Sequence, residues 1–231
     1  QSRQFSCRIS NIRVRLLITL LFSTIAFADP VTVLIDTGLY SPQNKIVIIE
    51  ATKHQYHAHG TWMLNTFTDQ YKKIGGKSAE LEMSVWGYGN SNGYESLAIA
   101  YAHAIYLEPK IISHSGGGSN PYETEKQIIQ MASNRDILII VAAGNDGPKS
   151  TFYPRDYKID CLMSAATLQD GILATYSGHG DVGLEQVLQE RGTSFSTARM
   201  AAIATKLRQD QPSLNCLETK KELVKKYSYK R

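Results

Sequence analysis

Asp36, His59 and Ser194 are residues of types that together can activate a hydroxyl. A serine oxygen is a weak nucleophile until a base takes its proton, and an imidazole base needs a third group to fix its tautomer. Each of the three sits at the edge of an expected regular element. Ser194 lies in Gly192-Thr193-Ser194-Phe195-Ser196-Thr197-Ala198, where a short polar lead runs into an alanine-rich segment, Ala198 to Leu207, with no Gly or Pro. That segment reads as a buried helix with Ser194 in its first turn. There the backbone N–H lacks an intrahelical partner and the helix dipole favours an anion. A serine at a helix start also serves as a simple cap. Asp36 follows the apolar run Val31 to Ile35, which suits a strand buried on both faces. The carboxyl end of such a strand is where open α/β sheets place their chemistry. His59, in His57-Ala58-His59-Gly60-Thr61-Trp62-Met63, enters a helix expected to continue to about Tyr71.

The elements that must position these residues alternate along the chain. Strand-like runs fall at 31–35, 45–49, 81–86, 110–113, 137–143 and 161–166, and helical patterns at about 61–71, 94–107, 121–134, 194–209 and 217–227. This order predicts an α/β fold of three layers, a mostly parallel sheet joined by right-handed crossovers and flanked by helices on both faces. Asn120-Pro121-Tyr122-Glu123 offers an N-cap, a proline at the first helical position and a glutamate at the third, which places a helix start there. The last helix is expected to turn Leu217, Leu223, Val224 and Tyr227 inward, leaving Lys220, Lys221, Lys225 and Lys226 as a solvated basic face.

Several motifs, taken together and in order, resemble those of subtilisin-like serine proteases. Asp36-Thr37-Gly38, His59-Gly60-Thr61 and Gly192-Thr193-Ser194-Phe195-Ser196 are similar to the three catalytic signatures of that family. Ala142-Ala143-Gly144-Asn145-Asp146-Gly147 resembles the segment carrying the oxyanion-hole asparagine. Ile112-Ser113-His114-Ser115-Gly116-Gly117 resembles the strand that pairs with substrate, and Tyr176-Ser177-Gly178-His179-Gly180 is a weaker match to a Phe-Ser-x-x-Gly turn. The resemblance implies an endopeptidase acting through an acyl-enzyme, with Asp36, His59 and Ser194 as triad and Asn145 in the oxyanion hole. It implies Ser115, Gly116, Gly117 and Gly144 as substrate-binding positions, and a polypeptide substrate. An extended glycine-rich edge can pair with a peptide as an added strand, and glycine lets it approach closely. Without the resemblance, Asn145 would read as a turn residue and the three glycines as a flexible loop. Gly116 stands where the family more often has a larger apolar residue, a change that would widen the pocket for the side chain before the scissile bond. Trp62 replaces a usual second histidine, and Ala198-Arg199 replaces a usual Pro-His; Arg199, in an apolar helix, must find a carboxylate or solvent.

Composition bounds the setting. The chain has 231 residues, 42% of them hydrophobic, enough for one sizeable core. Residues 1–28 carry Arg3, Arg8, Arg13 and Arg15 and no acid, then a thirteen-residue, mainly apolar run from Leu16 to Ala28 closing on Ala26-Phe27-Ala28. These are the marks of a secretory signal peptide, leaving 29–231 as one peptidase domain that is secreted or periplasmic. The run falls short of the roughly 20 residues a membrane span needs, so no membrane association is expected after cleavage, and an uncleaved N-terminal anchor is the alternative. Only Asp29 and Pro30 separate this leader from the first strand, so no prosegment is expected between them. The formal charge of +4 is 25 basic against 21 acidic residues; without the four leader arginines it becomes zero. The basic character therefore belongs to the leader and implies no nucleic-acid partner. Beyond the leader remain Cys161 and Cys216, which an exported chain could join or could bury as free thiols. His54, His57 and His59 beside Asp36 could suit zinc, but that reading leaves Ser194 and Asn145 unexplained. Lys73-Ile74-Gly75-Gly76-Lys77-Ser78 lacks the earlier glycine and the strand of a phosphate loop. The chain is expected to need no cofactor and no metal and to act as a monomer. The alternative is a catalytically silent domain that binds peptides or a protein partner through the same groove.

Overall fold

The computed structural model of the chain describes residues 31–37, 48–50, 58–77, 81–85, 93–187 and 189–230. The leader 1–28, Gly38, residues 45–47 of the expected second strand, His54 and His57 lie outside them. The described residues form an eight-stranded sheet: β1 Thr32–Asp36, β2 Ile48–Glu50, β3 Leu81–Val85, β4 Ile111–His114, β5 Leu138–Ala142, β6 Leu162–Gln169, β7 Ile172–Leu173 and β8 Val182–Glu185. The helices are α1 Ala58–Lys73, α2 Gly93–Tyr106, α3 Glu123–Ser133, α4 Thr193–Asp210 and α5 Cys216–Tyr227.

The strand order is β2-β3-β1-β4-β5-β6-β7, with β8 also paired to β6. Every pairing is parallel except β6 with β7. After β1 the chain passes to β2 at the edge, comes back to β3 between them, then crosses to the other side of β1 to build β4, β5 and β6. The β1–β4 border is thus a switch point, where carboxyl strand ends diverge and leave a crevice.

Alternation within the strands divides the core in two. Leu34, Leu138 and Ile140 join Met63, Phe67, Ala201 and Leu223 beneath α1, α4 and α5. Val33, Ile35, Ile139 and Val141 join Tyr101, Ala104, Ile129 and Ala132 beneath α2 and α3 on the opposite face. This is the expected three-layer α/β arrangement. α4 is the most enclosed helix: from Ala198 to Ala204 every residue but Ile203 is buried. Its small side chains let it lie close over the sheet, where the Thr205 and Thr32 hydroxyls meet at 2.5 Å. Arg199 finds its carboxylate in Glu190, at 3.8 Å.

Cys161 and Cys216 form a disulfide, with Cα atoms 5.7 Å apart, that ties the entry of β6 to the first residue of α5. Closing a loop of 55 residues removes on the order of 4 kcal/mol of freedom from the unfolded chain.

Three local expectations fail, one of them at Lys220, which is half-buried rather than solvated and donates to the Asp160 and Leu162 carbonyls at 3.0 and 2.6 Å. α3 begins at Glu123 rather than Pro121, with Tyr122 as its N-cap and no side-chain cap. Tyr122 is held instead by the Tyr157 hydroxyl, which accepts from its N–H and donates to its C=O. In α5, Leu217 is 51% exposed rather than inside. Asn215 and Glu218 form a reciprocal capping box that fixes the start, so Cys216, Thr219 and Leu223 take the inner face.

Candidate active site

β1 delivers Asp36 to the crevice as its last residue, and the first turn of α1 delivers His59. The two meet: His59 Nδ1 lies 2.7 Å from Asp36 Oδ1. The carboxylate side chain is 4% exposed and the imidazole 28%, so the acid is sealed and the ring opens on one side. The same Oδ1 accepts from the backbone N–H of Thr37 at 2.7 Å and from its hydroxyl at 3.3 Å. That hydroxyl in turn accepts from the N–H of Gly60 at 2.8 Å, locking the helix start to the strand end. Gly60 is required here: a Cβ would lie 1.8 Å from the Thr37 carbonyl oxygen. Burial by itself would lower the His59 pKa. The hydrogen bond to Asp36 and its negative charge more than offset this and raise it above the ordinary 6.5.

Ser194 is the second residue of α4 and is 7% exposed. Its hydroxyl donates to the Ser115 carbonyl at 3.1 Å, and the Ser115 hydroxyl donates back to the Ser194 carbonyl at 3.3 Å. The end of β4 and the start of α4 are thereby buttoned together. Gly192, at φ +136°, turns the chain into the helix in a conformation open to glycine.

Asn145 follows β5 and leans on the residue before the serine. Its Oδ1 accepts from the Thr193 N–H at 2.9 Å and from the Thr193 hydroxyl at 3.1 Å. The Thr193 hydroxyl also accepts from the Gly144 N–H at 3.1 Å, joining the loop after β5 to α4. Ser115, Gly116 and Gly117 run on from β4, and Gly144 from β5, so the expected substrate-binding positions fall on two adjacent segments. Thr37 and Thr193 do the bracing, and both sit inside the motifs already noted. Their signal was a hydroxyl beside each key residue, where one was needed to hold it.

Behind Asp36 lies a second polar cluster that sequence reasoning did not isolate. His114, fully buried at the end of β4, has Nδ1 2.9 Å from the Tyr101 hydroxyl. Glu125, on the first turn of α3, has its Oε2 3.0 Å from the Tyr157 hydroxyl. Burial lowers the His114 pKa to about 4 against the opposing charge of Asp36, and burial raises that of Glu125 to about 7 against the Tyr157 bond. Among the described residues no group of three or more His, Cys, Asp or Glu side chains is placed to hold a metal ion.

Comparison with known proteins agrees with this architecture. In structure the chain is similar to the S41 Psychrophilic Protease, with a TM-score of 0.68 at 21% identity, covering 84% of this chain and 82% of that one. It is similar also to the Prenylagaramide maturation protease PagA, with a TM-score of 0.66 at 18% identity over 84% and 82%. At such identities the likeness shows the fold. In sequence it is 27% identical over 194 residues to M-protease of Shouchella clausii (strain KSM-K16), covering 75% of this chain and 50% of that protein. The same identity holds with Subtilisin Savinase of Lederbergia lenta, over 75% and 71%. The chain thus spans about half the length of M-protease. The pattern described as Subtilase family matches residues 40–230, which takes in His59, Asn145 and Ser194 and begins just past Asp36. A match over that much of the sequence, on this fold, means that the chain belongs to the subtilase family.

Proposed function

We propose that the chain is an exported serine endopeptidase that cleaves polypeptides through Asp36, His59 and Ser194. The observation that carries this reading is the 2.7 Å bond between His59 Nδ1 and a sealed carboxylate, at the switch point that also holds Ser194. The bond fixes the ring so that Nε2 is the basic nitrogen. The Ser194 hydroxyl turns from the Ser115 carbonyl to that nitrogen, gives up its proton and attacks the scissile carbonyl carbon. The resulting oxyanion is held by the Asn145 amide and the Ser194 backbone N–H. The imidazolium, stabilised by Asp36, then protonates the departing amine, leaving an ester on Ser194. Water repeats the sequence, giving its proton to His59 and releasing the acid. The Cys161–Cys216 disulfide supports export, since such bonds persist in oxidising compartments.

The test is covalent labelling of the purified chain with a fluorophosphonate probe, beside Ser194→Ala and a chelator-treated sample. Labelling that vanishes only in Ser194→Ala is expected. A chain that binds peptides but never reacts with the probe would be a silent binding domain instead.

A further inference from the structure

The substrate-binding positions implied by the family resemblance lie on two segments, Ser115–Gly118 after β4 and Ala143–Asn145 after β5, and the side chain before the scissile bond is taken to enter between them. One glycine on each segment meets the same side chain. A Cβ on Gly144 would stand 2.7 Å from Phe152 Cγ and 2.9 Å from Cδ2, whereas a Cβ on Gly117 would stand 2.6 Å from both Cε1 and Cζ. The Phe152 ring therefore bridges the gap, its root against one wall and its tip against the other. Its loop is fastened to both. Tyr153 pairs with Gly118 in each direction, at 2.9 and 2.7 Å, and Arg155 donates to the Ala143 carbonyl at 2.6 Å. The Phe152 N–H is anchored on Asp156 Oδ2 at 2.8 Å, and Asp156 is paired with Arg155.

We propose that Phe152 is the residue that sets cleavage preference, its ring filling the space meant for the side chain before the scissile bond, so that only glycine or alanine is accepted there. This rests on the endopeptidase reading and narrows its substrate class. The widening expected from Gly116 is cancelled from the far side of the gap. A larger side chain would have to expel an aromatic ring wedged between two stretches of bare backbone, whose loop is pinned at each end.

The test uses the whole chain and peptides identical except for Gly, Ala, Leu or Phe before the scissile bond, with fluorophosphonate labelling of the same sample. Each methylene that fits or fails to fit is worth roughly 10–200-fold in kcat/KM. Alanine should therefore be favoured over phenylalanine by about 100-fold or more. Phe152→Ala should raise the phenylalanine-to-alanine ratio by at least about 10-fold, and Phe152→Leu by less. A labelled protein that cleaves the phenylalanine peptide as fast as the alanine one overturns the proposal, and so does an unmoved ratio in a folded Phe152→Ala protein. If that variant does not fold, the unaltered chain and Phe152→Leu decide. Absence of labelling removes the endopeptidase reading and this inference with it.

Discussion

His59 and His114 both feel the charge of Asp36, yet they answer it in opposite ways. His59 touches the carboxylate directly, keeps 28% of its side chain exposed and is raised above its ordinary pKa. His114, on the strand beside Asp36, has a tyrosine hydroxyl at its Nδ1, is fully buried and falls to about 4. Charge nearby is not enough to hold a proton on a buried ring; a hydrogen bond to that charge is what outweighs lost hydration. One imidazole can therefore carry protons near neutral pH while its neighbour stays neutral throughout that range.

The comparison can be broken most sharply by exchanging which histidine is removed. His59→Ala should cost about 10⁶-fold in turnover, the magnitude known for triad histidine loss in a subtilisin, with little change in Tm. Asp36→Asn should lower kcat by about 10⁴-fold, as for the equivalent change in a triad protease. It also removes the negative charge that raises His59 and leaves the burial that lowers it, so the acid limb of the pH–rate profile should move to lower pH. If the limb stays in place, Asp36 is not what tunes the base.

Smaller effects belong to the buried cluster and appear in stability against pH. His114 binds fewer protons folded than unfolded between about 4 and 6.5, so its contribution rises with pH over that window. Glu125 binds more protons folded than unfolded between 4.5 and about 7, so its contribution falls as pH rises. Each amounts to about 3 kcal/mol, and the two nearly cancel. Glu125→Gln keeps the bond from Tyr157 and should leave stability climbing by about 3 kcal/mol from pH 4 to 7 in denaturant titrations. His114→Leu should reverse the slope and cost a further 1–3 kcal/mol by stranding the Tyr101 hydroxyl, while Ser194 labelling stays within a few-fold. The smallest effect concerns the unaltered chain: its acid limb should have a midpoint above 6.5, because His59 is raised. A midpoint at or below that value would erase the contrast.

Much of this was legible in short stretches of sequence. Asp36 ends an apolar run, His59 opens a helix and Ser194 opens another, so the ends of β1, α1 and α4 could be placed by pattern alone. The parallel sheet followed from alternation of elements, although β7 and β8 escaped notice because two and four residues at a sheet edge leave no periodic trace. The α3 start was misplaced because Tyr157, 35 residues onward, takes over the role that a local cap would have had. Phe152 was invisible for the same reason: its meaning depends on a ring lying between loops that follow β4 and β5. The spacing of Cys161 and Cys216 likewise carried no information on the 5.7 Å that separates their Cα atoms. Local chemistry was written locally; what fills a gap between distant segments was not.

Gly60 acts as a gauge by carrying nothing. Its bare α-carbon lies so near the Thr37 carbonyl that no methyl can be interposed, and helix and strand are fitted backbone to backbone. A joint without a cushion has no play, so the imidazole rides with its carboxylate through any breathing of the sheet. Alanine at 60 would act as a shim too thick for the seam, spreading the pair while most of the interior stayed closed.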